Sequence, residues 1–275
     1  LLPLTLFVAT RQNALAVQIH EASHYLLFKS KPFNDMFCNI LGAYWVLNDV
    51  ASYRKVHLKH HQHLHSDMDP DLDLYRIDET SSKIPSPLKY LMKDFCGLTA
   101  IGRILKYINY KNDSPSNLIK FNPLHAFGKI SAQLLVFIIF YTFMEGAEAF
   151  FCWLIFWAFP LFCILPVIIR LRIVTEHQVE FNSKESRHNS FMSRTTCGNP
   201  IVQYLLGACM EYHFEHHLLP SIPHHKLKDL NEYLQNSDFF KGKDLDSQEK
   251  NVYLSGGYLN YWWKLIRRTI SSKTR

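Results

Sequence analysis

Apolar and polar positions separate into blocks along this chain, and the longest apolar block lies past its middle. From Ile130 to Ile169 only Glu145 and Glu148 carry charge, which predicts two helical spans joined by a short acidic turn. Ala149 to Ile169 is apolar over a full bilayer crossing at about 1.5 Å per residue. Ile130 to Met144 needs Lys129 and its neighbours at the interface to complete its length. Pro160 and Pro166 are expected to kink the second span. Arg170 and Arg172 follow it, while the connecting turn is acidic, so both outer flanks are expected on the positive, cytoplasmic side.

Upstream, Leu4 to Ile19 reads as most of a further crossing helix, with Arg11 as an interior charge. The sequence starts without Met and already in apolar residues, so an additional upstream span is expected. Phe33 to Asn48 is apolar and aromatic but bounded by Asp35 and Asp49; it is short for a crossing and reads as an interfacial or core helix. Asp67 to Pro87 reads as an acidic, Ser- and Pro-containing loop, and Leu88 to Tyr110 as an amphipathic surface helix. Beyond Lys226 the chain is polar and ends in an aromatic helix around Tyr258 to Leu265. The predicted architecture is all-α: an integral-membrane helical bundle with a cytoplasmic helical cap. Residues 1–235 form the membrane domain, with spans at about 4–19, 130–144 and 149–169, and residues 236–275 a polar, aromatic tail.

Composition sharpens this picture. Hydrophobic residues make up 48% of the 275 and aromatics 14%, against 20% charged, which excludes disordered and collagen-like chains. The mean hydropathy of −0.10 conceals the apolar blocks because 15 His and 30 Lys+Arg offset them. The net charge of +6 is scattered among apolar segments rather than gathered in a stripe. That argues against nucleic acid as a partner and for a cationic face towards anionic lipid. Cys38, Cys96, Cys152, Cys163, Cys197 and Cys209 form no CxxC pair, so no disulfide framework is expected.

The chemistry lies in the histidines. HEASH places His20 and His24 four apart, on one face of a helix. HLKHH places His57, His60 and His61 at i, i+3 and i+4, and HFEHH repeats that spacing with His213, His216 and His217. His177 stands alone, eight residues past the predicted end of the last span. Imidazole suits Fe, Cu and Zn, and clusters lacking thiolates select against iron–sulfur centres. A single zinc takes three or four ligands, so the histidines are too many for it and two metal ions fit the count. A site built against lipid and without hydrolytic carboxylates points to redox-active iron and oxygen chemistry on an apolar substrate.

HEASH also matches HExxH, the zinc-protease signature with Glu21 as general base. That reading leaves both HxxHH clusters without a role and supplies no single third ligand, so Glu21 is better placed behind the ligands.

Together, HEASH, HLKHH and HFEHH, in this order and separated by a pair of spans, resemble the three histidine boxes of the membrane fatty acid desaturase-like superfamily. The resemblance runs from about Arg11 to Leu227. The phrases LNDVASYRKVHLKHH, HHQHLHSDMDPDLD and RTTCGNPIVQYLLGACMEYHFEHHLLPSIPHHKL look like bacterial members. It implies a non-haem di-iron site held by His20, His24, His57, His60, His61, His177, His213, His216 and His217. It also implies an O2-dependent oxidoreductase that removes two hydrogens from an acyl chain to form a C=C bond. No HPGG signature of a fused cytochrome b5 domain is present, so electrons are expected from an external ferredoxin or cytochrome b5. The boxes are expected on the cytoplasmic side of a multi-pass protein, with a bacterial inner membrane favoured over the endoplasmic reticulum.

Oxygen rebound in place of a second hydrogen loss would give an alcohol, and HHQHLHSDMDPD is also similar to carotenoid ketolases and hydroxylases. These and alkane hydroxylases remain alternatives in the same superfamily. A non-catalytic metal-binding or metal-transporting membrane protein is a further alternative, although a transporter is expected to hold its ligands near mid-membrane. Glu21, Asp49, Asp69, Glu176 and Glu215 stand near the boxes and are candidates to orient ligand imidazoles. His63, His65, His125, His188, His224 and His225 are read as surface or packing residues.

Overall fold

The computed structural model describes residues 1–75, 87–108, 122–177, 192–208, 210–239 and 253–273. His188 and Cys209 lie outside them, as do most of the expected loop before Pro87 and part of the polar tail. In chain order the helices are α1 (Leu2–Ser23), α2 (Lys31–Cys38), α3 (Val50–His63), α4 (Leu72–Tyr75), α5 (Pro87–Phe95), α6 (Leu98–Ile108) and α7 (Pro123–Phe143). They continue as α8 (Gly146–Trp153), α9 (Leu165–His177), α10 (Pro200–Val202), α11 (His213–Leu218), α12 (Leu227–Asn236) and α13 (Gly257–Lys273). The described strands are β1 (Thr195–Cys197) and β2 (Tyr253–Ser255). The chain divides into two compact units: 1–58 with 91–169, and 59–90 with 170–275.

In the first unit, α1 contains the stretch expected to cross, but its inward face is polar: Thr5, Thr10, Gln12 and Asn13 are buried. The two threonine hydroxyls return their hydrogen bonds to Leu2 O and Phe7 O, within the helix's own turns. Gln12 Nε2 donates to the Trp157 carbonyl at 3.2 Å. Two described helical stretches are long and apolar enough to cross a membrane, Pro123–Phe143 and Gly146–His177. They meet at the expected acidic turn, where Gly146 takes a positive φ of 52°. Along α7, Leu134, Leu135, Ile138, Ile139 and Phe143 all face outward.

Around Pro160, where a kink is expected, the helix widens into two π-helical turns, Leu154–Ala158 and Pro160–Ile164, that carry it onward. Proline offers no N–H to the preceding turn, and widening the helix absorbs the missing bond. The helix therefore runs 32 residues, about 48 Å at 1.5 Å per residue, against about 30 Å of hydrocarbon. His177, eight residues past the predicted end of the span, lies on this helix.

Phe33 to Asn48 is helical in three pieces: α2, a π turn at Asn39–Ala43 and a 3-10 turn at Tyr44–Val46. Phe33, Met36, Phe37, Ile40 and Leu41 are exposed, while Cys38 and Ala43 join Ile19, Ala22 and Val50 in a core. The single helix expected over Leu88 to Tyr110 is instead α5 and α6. Gly97 takes φ 73°, the left-handed conformation that ends α5, and the Thr99 hydroxyl bonds the buried Asp94 carboxylate at the break.

The second unit packs α11 and α12 around Phe214 and Leu234. β1 and β2 pair in parallel, Thr195 opposite Tyr253 and Cys197 opposite Ser255. A Cβ on Gly198 would overlap the Gly257 backbone, so glycine is required where the pair ends. Tyr253–Ser255 and α13, in the polar and aromatic tail, belong to this unit. Trp262 Nε1 donates to Leu171 O at 2.9 Å, and the Tyr258 hydroxyl donates to Glu176 at 2.9 Å.

Candidate metal centre

The second unit holds the denser cluster. His60 on α3, His177 at the end of α9, and His213 and His217 one turn apart on α11 are all buried. His177 Nε2 lies 3.1 Å from His60 Nε2, 3.0 Å from His213 Nε2 and 3.2 Å from His217 Nε2; His213 and His217 are 3.1 Å apart. His61 Nε2 and His216 Nε2 meet at 3.0 Å.

Tautomers decide what this convergence means. His60 Nδ1–H donates to both oxygens of Asp69, at 3.0 and 3.1 Å. His177 Nδ1–H donates to Ile173 O at 3.1 Å. A neutral imidazole that donates through Nδ1 presents Nε2 as a bare lone pair. His60 and His177 therefore aim lone pairs at each other across 3.1 Å, which is repulsive unless a cation lies among them. The donor set fits a metal ion, with its outer nitrogens oriented by a carboxylate and a carbonyl as metal-bound imidazoles usually are.

Electrostatics favour the ligand form. Burial, reinforced by His61, His213, His177 and His60, holds His217 well below its ordinary 6.5. Burial opposes ionisation of Asp69, but hydrogen bonds from His60 and Tyr75 outweigh it and lower its pKa. Tyr75, fully buried, donates its hydroxyl to Asp69 and stacks on the His177 ring at 5.1 Å. Burial and Asp69 together raise the Tyr75 phenol far above the ordinary range.

In the first unit, His20 and His24 at the end of α1 meet His57 on α3, with ring centroids 4.4 to 5.3 Å apart. His57 Nε2 and His24 Nε2 are 2.9 Å apart. Burial and repulsion from His20 lower His24 from 6.5 to about 3. Tyr53 stacks on His57 at 5.3 Å. The division between units falls within α3, which carries His57 in the first and His60 and His61 in the second.

The five carboxylates separate by what they touch. Asp69 orients His60; Glu21 lies 3.6 Å from His20 Nδ1 and Glu176 3.9 Å from His213 Nδ1. Asp49 instead caps α3 by accepting Ser52 N–H at 2.8 Å and pairs with Lys129 at 2.8 Å. Glu215 anchors α11 through Thr195, Asn231 at 2.5 Å and Tyr253 at 3.3 Å, and burial raises its pKa.

Sequence reasoning missed three supporting residues. His65 donates to the His177 carbonyl, Tyr75 braces Asp69, and Tyr258 braces Glu176. An aromatic beside a DPDLD run was the available signal for Tyr75; none marked the other two. Of the remaining histidines, His125 bonds the Tyr44 hydroxyl at 2.9 Å, and His224 and His225 lie in a 3-10 turn.

A family model described as fatty acid desaturase matches residues 1–242. A curated relative, the dihydrorhizobitoxine desaturase of Bradyrhizobium elkanii, is 26% identical over 229 residues, which cover 79% of this chain and 63% of the relative's length.

Proposed function

Because the chain belongs to the fatty acid desaturase family, we propose that it is a membrane oxidoreductase whose eight box histidines and His177 hold two iron ions and whose reaction forms a C=C bond in an acyl chain. The observation that carries this reading is the convergence of His60, His213 and His217 on His177, whose Nε2 lies 3.0 to 3.2 Å from a ring nitrogen of each. Bound iron would supply the O2 activation needed to break an unactivated C–H bond.

The protein's own residues prepare that chemistry. Asp69 and the Ile173 carbonyl orient the rings of His60 and His177 with Nε2 available to a metal. Burial keeps His217 neutral and excludes water from the ring nitrogens. The apolar outward faces of α7 and of the Phe33 to Leu41 segment suit a lipid environment. The substrate is drawn from that lipid phase, the boxes face the cytoplasm, and electrons come from an external ferredoxin or cytochrome b5.

The relative is named for desaturation, of dihydrorhizobitoxine, which supports loss of a second hydrogen over oxygen rebound. The test is mass spectrometry of total lipids from a desaturase-deficient host expressing the full-length gene with an electron donor. Acyl chains two hydrogens lighter support the proposal, and fragmentation places the double bond. Unchanged acyl chains in cells that contain the protein and its reductant would reject an acyl substrate and turn the search to carotenoids and alkanes.

A further inference from the structure

The end of α1 is built in an unusual way, and it is the end that carries the first histidine box. His24 occupies the C-cap position. Tyr25 follows with φ 60°, a left-handed conformation that glycine normally supplies at this point of a helix. Leu26 N–H donates to Glu21 O at 3.1 Å and Tyr25 N–H to Ala22 O at 3.1 Å, the paired bonds of a Schellman termination. A side chain at the left-handed position is strained, so neighbouring structure must hold it there.

Arg54 does so. Its Nε donates to Ser23 O and its Nη2 to Ala22 O, both at 2.8 Å, while Nη1 donates to Asp35 at 2.7 Å. Its guanidinium carbon lies 3.8 Å from the centre of the Tyr25 ring. One side chain from α3 thus satisfies terminal carbonyls of α1, neutralises the negative end of the helix dipole, grips α2 through Asp35 and covers the strained tyrosine. Asn34, fully buried, adds to the same latch by donating to Ala22 O at 2.9 Å and accepting from Leu27 N–H at 3.2 Å. Arg54 stands one helical turn before His57. The latch therefore fixes His24, at the end of α1, against His57, on the helix that supplies the latch.

We propose that Arg54, clamped by Asp35 and stacked on Tyr25, is a positioning residue that holds His20 and His24 in register with His57 for metal binding. This rests on the metal-centre reading above. Lysine can replace Arg54 only in part, because a single ammonium group lacks the planar fork that reaches two carbonyls and a carboxylate at once.

Two readouts on the full-length, detergent-purified protein separate the latch from the metal reading. The first is iron content and the Mössbauer spectrum after growth on 57Fe. The second is amide hydrogen exchange of the peptide covering residues 19–28 in chelator-stripped protein. Arg54→Ala is expected to speed exchange in that peptide at least about tenfold, as loss of a part-buried charge-assisted network implies. It is also expected to remove one of two spectral iron components while leaving the other. Arg54→Lys is expected to fall between, and if Arg54→Ala does not accumulate, Asp35→Asn gives the same pattern more weakly. Unchanged exchange together with both iron components retained would overturn the proposal. Faster exchange in a protein whose wild type binds no metal would keep the latch and sink the metal centre instead.

Discussion

In the first unit, three imidazoles are gathered by the end of one helix and the side of another, and His24 remains half-buried. In the second unit, the central four of six imidazoles come from three elements, all four are buried, and two of them have their outer nitrogens committed to Asp69 and to a backbone carbonyl. The first set is held by backbone geometry at a helix terminus, the second by side-chain hydrogen bonds behind the rings. The difference teaches that similar histidine spacings in sequence can be supported by unlike physics. The second set depends on groups that hydrogen-bond the rings themselves, whereas the first depends, on the proposal above, on Arg54, a residue outside the ligand set.

The largest expected effect comes from removing a central donor. His213→Ala takes away a nitrogen within 3.1 Å of two others, and turnover is expected to vanish while the protein still accumulates in membranes. His60→Ala and His216→Ala are expected to do the same. Normal product formation in any of these, measured by lipid mass spectrometry, would remove the assignment.

Next comes the carboxylate behind His60. Asp69→Asn keeps the shape but weakens the bond that fixes the ring, and metal affinity is expected to fall about 10–100-fold. Competition with a metallochromic chelator measures it. An unchanged affinity would mean that His60 is held by packing alone.

Tyr75→Phe keeps the ring stacked on His177 and deletes the hydroxyl bonded to Asp69. A hydrogen bond to a charged group is worth about 1.5–3 kcal/mol, so a lowered melting temperature with a smaller loss of metal is expected. Trp262→Phe, which loses one bond to the Leu171 carbonyl, should cost only about 1 kcal/mol and leave metal content intact.

Acid should expose the buried imidazoles in metal-free protein. His24 sits at about 3 when folded and at 6.5 when unfolded, and His217 is displaced in the same direction. Below 6.5 the unfolded chain binds more protons than the folded one, so stability is full above that pH and declines as pH falls towards 3. Thermal melts from pH 7.5 to 4.5 follow this. A flat profile would show that these rings are more hydrated than their burial implies.

Much of this was legible in the sequence because it is local. Histidine spacing on helices α1, α3 and α11, and the apolar runs of α7 and α8 to α9, are properties of neighbours in the chain. What escaped was non-local or backbone-driven. Gly97 splits a continuous amphipathic pattern because its φ is positive, which an isolated glycine signals only weakly. Tyr258 reaches Glu176, and Thr195 lies opposite Tyr253, across long stretches of sequence with no periodic mark. Asp49 and Glu215 stand beside boxes in sequence, yet one caps a helix and the other anchors one. Proximity in the chain did not distinguish them from Asp69, whose partner lies nine residues away across a turn.

The central claim is that these histidines form a two-metal centre, and metal content tests it most directly. Inductively coupled plasma mass spectrometry of the purified full-length protein, referenced to protein sulfur, should give about two irons per chain, the number that so many imidazole donors can coordinate. His213→Ala should give fewer. A wild-type protein carrying a single zinc, or no transition metal after expression in iron-replete cells, would contradict the account.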